Sequence, residues 1–91
     1  MQPKESIKNL HRSTRAIVAG RLEKNIYGEV SVPIFQNSTF AFPCAEEGAA
    51  RFAGTSAGYI YTRLDNPTVH ALEDGVATLE NGSAALAAAS G

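Results

Sequence analysis

Hydrophobic residues recur at helical spacing in one stretch towards the end of the chain. They follow one another at intervals of three, four and three residues: Val69, Leu72, Val76 and Leu79. This spacing places them along one face of a helix, which we predict over residues 67–80. Asn66 is a favoured N-cap residue and Pro67 suits the first helical position. The Asn81-Gly82 pair is typical of a helix end, so both boundaries carry their own signals.

Two shorter helices are predicted in the first part of the chain. Residues 13–19 can form a short helix that opens at Ser13 or Thr14 and ends at Gly20. Its apolar face is narrow, so this helix needs a partner surface to stay folded. Residues 45–53 are the second candidate, because a proline lies shortly before them, acidic residues occupy the first turn and a glycine follows.

The sequence of the remaining segments predicts little regular structure. Residues 25–43 hold two prolines among β-branched residues. Proline removes donors that a sheet requires, so we expect an extended arm with little sheet. Residues 55–65 are expected to be loop or short strand. Residues 83–91 are rich in alanine, which favours a helix by propensity but also fits a buried parallel strand. The local pattern does not distinguish the helix from the strand.

Length and charge limit the class of function. The chain has 91 residues, 44% of them hydrophobic, and a net charge of −1. These values indicate one small domain and argue against a dedicated nucleic-acid binder. Positive charge is concentrated in residues 1–24, which form a basic arm that could contact RNA, an acidic membrane or a partner protein. Because this arm lacks a dense lysine or arginine run and any aromatic residue, a solvated or partner-packed arm is favoured.

Cysteine and histidine are too few to suggest a metal or disulfide framework. Cys44 is the single cysteine, which excludes an internal disulfide and fits a reducing compartment. With only His11 and His70 beside it, we predict no metal site. The sequence contains no apolar run of about 18 residues and no secretory signal, so we expect no membrane span and a cytoplasmic location.

Candidate chemistry centres on a phenol and a guanidinium two residues apart. In extended structure Tyr61 and Arg63 would project to the same side, and arginine is suited to bidentate contact with a phosphate or a carboxylate. The spacing alone equally describes an exposed arginine beside a packed tyrosine. Ser90-Gly91 offers small residues whose backbone N–H groups could hold an anion, although a plain turn has the same pattern.

Several sequence blocks occur in order and resemble one family. They are Thr14-Arg15-Ala16-Ile17 with Gly20, Val32-Pro33-Ile34-Phe35-Gln36-Asn37-Ser38-Thr39-Phe40, Tyr61-Thr62-Arg63-Leu64-Asp65-Asn66-Pro67-Thr68, Leu72-Glu73, Leu79-Glu80 with Gly82, and Ala89-Ser90-Gly91. Over residues 13–91 the chain resembles the N-terminal end of the Cys/Met-metabolism family of pyridoxal-phosphate enzymes. The Tyr-x-Arg-x-x-Asn-Pro-Thr block is the specific one. Residues 40–43 and 46–54 are most like the methionine γ-lyases and their near relatives.

The resemblance implies an α/β protein of fold type I, the aminotransferase-like fold of pyridoxal-phosphate-dependent transferases. This chain would hold the N-terminal arm and the first helix and strand, and would be incomplete. Residues 1–60 would be the arm, mostly extended with short helices and packed on a partner subunit. Residues 61–91 would begin the large cofactor-binding domain. The implied assembly is a homo-oligomer, a dimer of dimers.

The resemblance also implies the site residues. Tyr61 and Arg63 match a pair that reaches the phosphate of pyridoxal 5'-phosphate in the neighbouring subunit, and Gly91 matches a glycine whose N–H binds the phosphate in its own subunit. In the family the cofactor lysine lies beyond the position of Gly91. We therefore expect no catalytic residue in these 91 residues, and no activity from the chain alone.

The resemblance implies a function in sulfur amino-acid metabolism for the intact enzyme. The substrate class is a sulfur-containing or O-acylated amino acid. The first hypothesis is a methionine γ-lyase-type C–S lyase that acts by γ-elimination. The alternative is γ-replacement, as in O-acetylhomoserine sulfhydrylase or cystathionine γ-synthase. A further alternative is a non-catalytic truncated fragment that acts only through subunit contacts.

Overall fold

A computed structural model describes residues 9–20 and 27–91. The basic arm of residues 1–24 and the start of the extended arm therefore lie partly outside the described residues. The chain divides into two compact units, residues 1–34 with 68–91 and residues 35–67. In chain order, the helices of the described residues are α1 (Arg12–Val18), α2 (Ala45–Ala53) and α3 (Pro67–Leu79).

The two longer helices form where the sequence predicts them. α2 has the predicted boundaries, and Gly54 ends it in the left-handed conformation at φ 77°, which glycine adopts without strain. α3 ends one residue earlier than predicted. Asn81 takes a positive φ of 56° after it, and the Gly82 amide donates to the Ala77 carbonyl at 2.8 Å. The predicted Asn-Gly stop signal is confirmed.

The start of α1 differs from the prediction. The helix begins at Arg12, directly after His11, and no side chain caps it. Ser13 and Thr14 therefore lie inside the helix, and their predicted capping role is wrong. The reason is that the Arg15 amide already donates to the His11 carbonyl at 2.9 Å, which closes the first turn before either hydroxyl residue.

In the unit that contains α1 and α3, Arg15 joins the two helices. Its side chain is 9% exposed, and Nη1 donates to the Thr78 carbonyl at 3.2 Å and to Asn81 Oδ1 at 3.3 Å. Both acceptors lie at the C-terminal end of α3, where carbonyls lack helical partners and a cation is favoured. The Arg15 side chain of α1 thus caps the C-terminal end of α3.

Small residues allow the backbone after α1 to lie directly on α3. A Cβ on Gly20 would overlap the carbonyl oxygen of Ala71, and a Cβ on Gly75 would lie 3.5 Å from the Ala19 carbonyl oxygen. Ala71 is buried at 8% exposure, whereas Leu72 on the predicted apolar stripe remains 58% exposed. The N-terminal segment therefore packs on a small-residue face of α3 rather than on the apolar stripe.

The extended arm has little sheet, as predicted. Within residues 27–91 the pairing of extended segments is limited to an isolated antiparallel bridge between Thr39 and Tyr61. Residues 83–91 have neither helix nor strand, so the strand implied by the family resemblance is not formed here. A strand needs a neighbour for its backbone groups, and the Ala87 amide instead donates to the Glu73 carboxylate at 2.8 Å. Among the described helices, none has the length and apolarity needed to cross a membrane.

We predict that Gly20→Ala lowers the free energy of unfolding more than Gly28→Ala does. Both glycines have positive φ, 84° and 75°, but only Gly20 has backbone within 4 Å of the position that a Cβ would occupy. Gly28→Ala should cost about 1 kcal/mol from backbone strain. Gly20→Ala should cost a further 1–3 kcal/mol or so, because the Ala71 carbonyl must move. Urea denaturation of the two variants measures the difference, and equal losses would contradict the close contact.

Candidate functional site

The candidate site lies in the unit of residues 35–67, where two extended segments meet. The Phe40 amide donates to the Ile60 carbonyl at 3.0 Å, and the Thr62 amide donates to the Ser38 carbonyl at 2.8 Å. These hydrogen bonds flank the bridge between Thr39 and Tyr61. The backbone of Tyr61 is therefore fixed at the end of a short antiparallel pairing.

A tight turn follows Tyr61 and brings Arg63 back over it. The Tyr61 carbonyl accepts hydrogen bonds from the amides of Leu64 and Asp65, at 2.9 and 3.1 Å. The guanidinium carbon of Arg63 lies 5.5 Å from the centroid of the Tyr61 ring, within the range of a cation–π contact. The phenol ring and the guanidinium therefore lie close together. This proximity comes from the turn, however, rather than from the alternation of an extended strand.

Asn66 anchors the far end of this turn. It is 2% exposed, and its Nδ2 donates to the Phe35 carbonyl at 3.0 Å and to Thr62 Oγ1 at 3.1 Å. The Thr62 hydroxyl in turn donates to the Asn37 carbonyl. A buried amide with satisfied donors holds its backbone in one place. The asparagine predicted as a helix cap therefore also fixes the loop that carries Arg63.

The charged end of Arg63 is available to a ligand. Arg63 is exposed, and Tyr61 is 37% exposed. Within residues 9–20 and 27–91, no carboxylate or hydrogen-bond acceptor contacts the Arg63 guanidinium, whose described contact is the Tyr61 ring. The pair thus presents a positive charge and a phenolic hydroxyl together, which suits an anion with several oxygen atoms.

Gly91 belongs to the other compact unit. It is exposed, and nothing lies within 4 Å of the position that a Cβ would occupy. Its predicted part in a phosphate site stays a prediction.

Sequence reasoning did not assign a role to the cluster around Arg51. Arg51 Nε donates to Glu47 Oε1 at 3.1 Å, and the Ser56 hydroxyl donates to the same oxygen at 2.7 Å. The hydrogen bond from Ser56, then that from Arg51, lowers the pKa of Glu47 below its ordinary value of 4.5. The signal in the sequence was the spacing of Glu47 and Arg51, four residues apart on a predicted helix.

Comparison with known proteins identifies the family. The model of the Cys/Met metabolism PLP-dependent enzymes matches residues 13–91 of this chain. That match covers most of the sequence and includes both α3 and the Tyr61–Arg63 turn. The chain belongs to the family of Cys/Met metabolism PLP-dependent enzymes, whose cofactor is pyridoxal 5'-phosphate. The predicted family is confirmed.

Individual relatives agree with this family. An L-methionine gamma-lyase from Fusobacterium nucleatum subsp. polymorphum is 58% identical over 78 residues, which is 86% of this chain and 20% of the relative. An O-acetyl-L-homoserine sulfhydrylase from Corynebacterium glutamicum is 44% identical over 78 residues, 86% of this chain and 18% of the relative. The chain therefore spans about a fifth of the length of the curated relatives that it matches.

A solved structure has a similar fold. It is the crystal structure of a Campylobacter jejuni chain assigned as an O-acetylhomoserine (thiol)-lyase, which contains N'-pyridoxyl-lysine-5'-monophosphate. The TM-score is 0.75 at 34% sequence identity, and the match covers 84% of this chain and 19% of that chain. The described fold is thus that of one segment of a PLP-dependent enzyme.

We predict that the Glu47 carboxylate makes the unit of residues 35–67 sensitive to acid. Because the folded-state pKa of Glu47 is lowered, its stabilising effect is present above pH 4.5 and is lost as pH falls through the folded value. Glu47→Gln should destabilise the protein more at neutral pH than at an acidic pH below the folded-state pKa of Glu47. Urea denaturation at both pH values measures this difference. Glu46→Gln is the control, since Glu46 makes no ion pair within the described residues, and it should change stability little at either pH. A Glu47→Gln effect of the same size at both pH values would contradict the assignment.

Proposed function

We propose that this chain is the N-terminal segment of a full-length pyridoxal-phosphate enzyme, in which Tyr61 and Arg63 bind the cofactor phosphate. The observation that carries the proposal is the exposed Arg63 guanidinium, which lies beside Tyr61 and has no anionic partner among the described residues. A phosphate fits this pair, because arginine donates two parallel hydrogen bonds and the phenol donates a third.

The two residues would orient the cofactor rather than take part in bond breaking. Held by its phosphate, the cofactor has a fixed ring position relative to the substrate, and its ring supplies the electron sink for the reaction. Arg63 contributes a positive charge and a planar fork of donors. Tyr61 contributes a hydrogen bond and, through its ring, limits the directions that the Arg63 guanidinium can take.

We propose the cofactor site to be shared between subunits. Tyr61 and Arg63 would reach the phosphate of a neighbouring subunit, while the Gly91 amide would bind the phosphate of its own. Residues 1–60 would form an arm on a partner subunit, and residues 61–91 would begin a fold type I domain with a largely parallel sheet. The assembly would be a dimer of dimers in the cytoplasm. In support, the segment of residues 27–43 is extended with little sheet, which leaves backbone groups and side chains that a partner surface can bind.

The reaction that we propose for the full-length enzyme is γ-elimination from a sulfur amino acid, as in a methionine γ-lyase. Its support is the greater similarity to a lyase, at 58% identity, than to a sulfhydrylase, at 44%. The alternative is γ-replacement on an O-acylated amino acid, which the sulfhydrylase relative supports. The lysine and the other reacting groups would come from the rest of the enzyme.

A measurement of mass separates this proposal from a non-catalytic fragment. The chain has a mass of 9.6 kDa and covers 20% of the lyase relative, so the proposal predicts a native polypeptide about five times heavier. Denaturing mass spectrometry of the protein isolated from its own cells gives the answer. A single species at 9.6 kDa would contradict the full-length enzyme and favour a fragment that acts through subunit contacts.

We predict that Arg63→Ala in the full-length enzyme raises the dissociation constant of pyridoxal 5'-phosphate roughly 10- to 100-fold, because a hydrogen bond to a charged group contributes about 1.5–3 kcal/mol. Tyr61→Phe should have a smaller effect, about threefold to tenfold, since one hydrogen bond is lost instead of the two that an arginine donates. Titration of the apoenzyme, followed by absorbance, measures both constants.

The control for Arg63→Ala is Arg12→Ala, which removes an exposed arginine from the start of α1. It should leave the dissociation constant unchanged. Equal constants for Arg63→Ala and the wild type would remove Arg63 from the phosphate site.

A further inference from the structure

Arg51 closes the two extended segments at the point where their pairing stops. Its Nη1 donates to the Ala41 carbonyl at 3.3 Å and to the Tyr59 carbonyl at 3.1 Å. Each acceptor lies two residues from the bridge between Thr39 and Tyr61. Ala41 and Tyr59 are therefore opposite each other in the register set by the bridge. One guanidinium nitrogen therefore links the two segments beyond their last backbone hydrogen bond.

The Arg51 side chain is itself held from several directions. Glu47 binds its Nε at 3.1 Å, and its guanidinium carbon lies 5.3 Å from the centroid of the Phe42 ring. Gly58 packs against it so closely that a Cβ there would lie 2.6 Å from Nε. The side chain is 18% exposed. A lysine could not serve these partners together, because it lacks the planar fork that binds Glu47 through Nε and the carbonyls through Nη1.

The Tyr61–Arg63 turn lies between two anchors. Arg51 holds the chain at Tyr59, two residues before Tyr61, and Asn66 holds it three residues after Arg63. The contacts of Arg51 within residues 35–67 are to Tyr59 and other neighbours, rather than to Tyr61 or Arg63. Any effect of Arg51 on a ligand of the turn therefore passes through the backbone of the extended segment.

We infer that Arg51 is a positioning residue for the phosphate-binding pair, which sets the separation and register of the segments that carry Tyr61 and Arg63. This inference rests on the proposed function. Loss of Arg51 would leave both phosphate-binding side chains present but would free the backbone before them. Phosphate binding would then have to order this backbone, which Arg51 now holds in place, and the binding would be weaker for that reason.

The test compares two ligands that share the same ring and aldehyde and differ in the phosphate, pyridoxal 5'-phosphate and pyridoxal. The ratio of their dissociation constants is measured for the full-length apoenzyme with Arg51→Ala, Arg51→Lys, Arg63→Ala and the Arg51→Ala/Arg63→Ala pair. We expect Arg51→Ala to reduce the preference for the phosphorylated ligand roughly tenfold, a coupling of the size seen within one hydrogen-bond network. Arg51→Lys should not restore it.

The double variant should lose less preference than the two single losses combined, because Arg51 acts through Arg63 and Tyr61 and only Tyr61 remains in the double variant. A variant that is merely less stable would bind both ligands less well and leave the preference unchanged. If Arg51→Ala does not fold, Ser56→Ala serves in its place. It removes the hydroxyl that holds Glu47 and should reduce the preference in the same direction by a smaller factor.

The outcomes separate the two proposals. If Arg63→Ala reduces the preference and neither Arg51→Ala nor Ser56→Ala does, the positioning role is overturned while the phosphate site stands. If Arg51→Lys restores the preference, Arg51 acts through charge alone and the positioning role is likewise overturned. If Arg63→Ala leaves the preference unchanged, the proposed phosphate site fails and the role of Arg51 fails with it.

Discussion

Polar side chains that donate to main-chain carbonyls hold each compact unit together. Extended segments outside a sheet leave carbonyl oxygens without ladder partners, and an unpaired buried carbonyl is costly. The donors to carbonyls in other parts of each unit include Arg15, Arg51, Asn66 and Thr68. Apolar burial is slight by comparison, since Ala71 is the buried hydrophobic residue of the part of the chain that the structure describes. Removal of one such donor would therefore leave the segment that it holds without a main contact to the rest of its unit.

Arg51 and Arg63 belong to the same compact unit, and they differ in whether the guanidinium group is already bound within the protein. Arg51 binds a carboxylate through Nε and two carbonyls through Nη1, and it lies over an aromatic ring. Arg63 is exposed and contacts the Tyr61 ring. A guanidinium with satisfied donors is structural, whereas one that is exposed beside a second donor can bind an anion. This contrast, together with membership of a pyridoxal-phosphate family, is why we propose that Arg63 and not Arg51 binds the phosphate.

Local signals in the sequence predicted the helix boundaries better than they predicted the packing around the helices. The boundaries of α2 and α3 follow from glycine and asparagine stops next to the helices, so a short window was enough. The predicted start of α1 was wrong, because His11 supplies the first helical carbonyl and neither Ser13 nor Thr14 was needed as a cap. The docking of Gly20 on Ala71 could not be predicted, because it depends on contact between segments about fifty residues apart in the sequence.

The candidate site was partly predictable. The spacing of Tyr61 and Arg63 indicated their proximity, but the turn that produces it depends on amides of Leu64 and Asp65 that carry no sequence signal. The role of Arg51 depends on the carbonyls of two segments that the helix pattern does not reveal. The identity of the ligand came from the family resemblance, since an exposed arginine beside a tyrosine is common in proteins.

The most direct test of the account is a crystal structure of the full-length enzyme with pyridoxal 5'-phosphate bound. The account predicts that the Arg63 guanidinium and the Tyr61 hydroxyl lie within hydrogen-bond distance of the phosphate of a neighbouring subunit. Arg51 would keep its contacts to the carbonyls of Ala41 and Tyr59. A phosphate bound by other residues, with Arg63 directed into solvent or paired with a carboxylate, would contradict it.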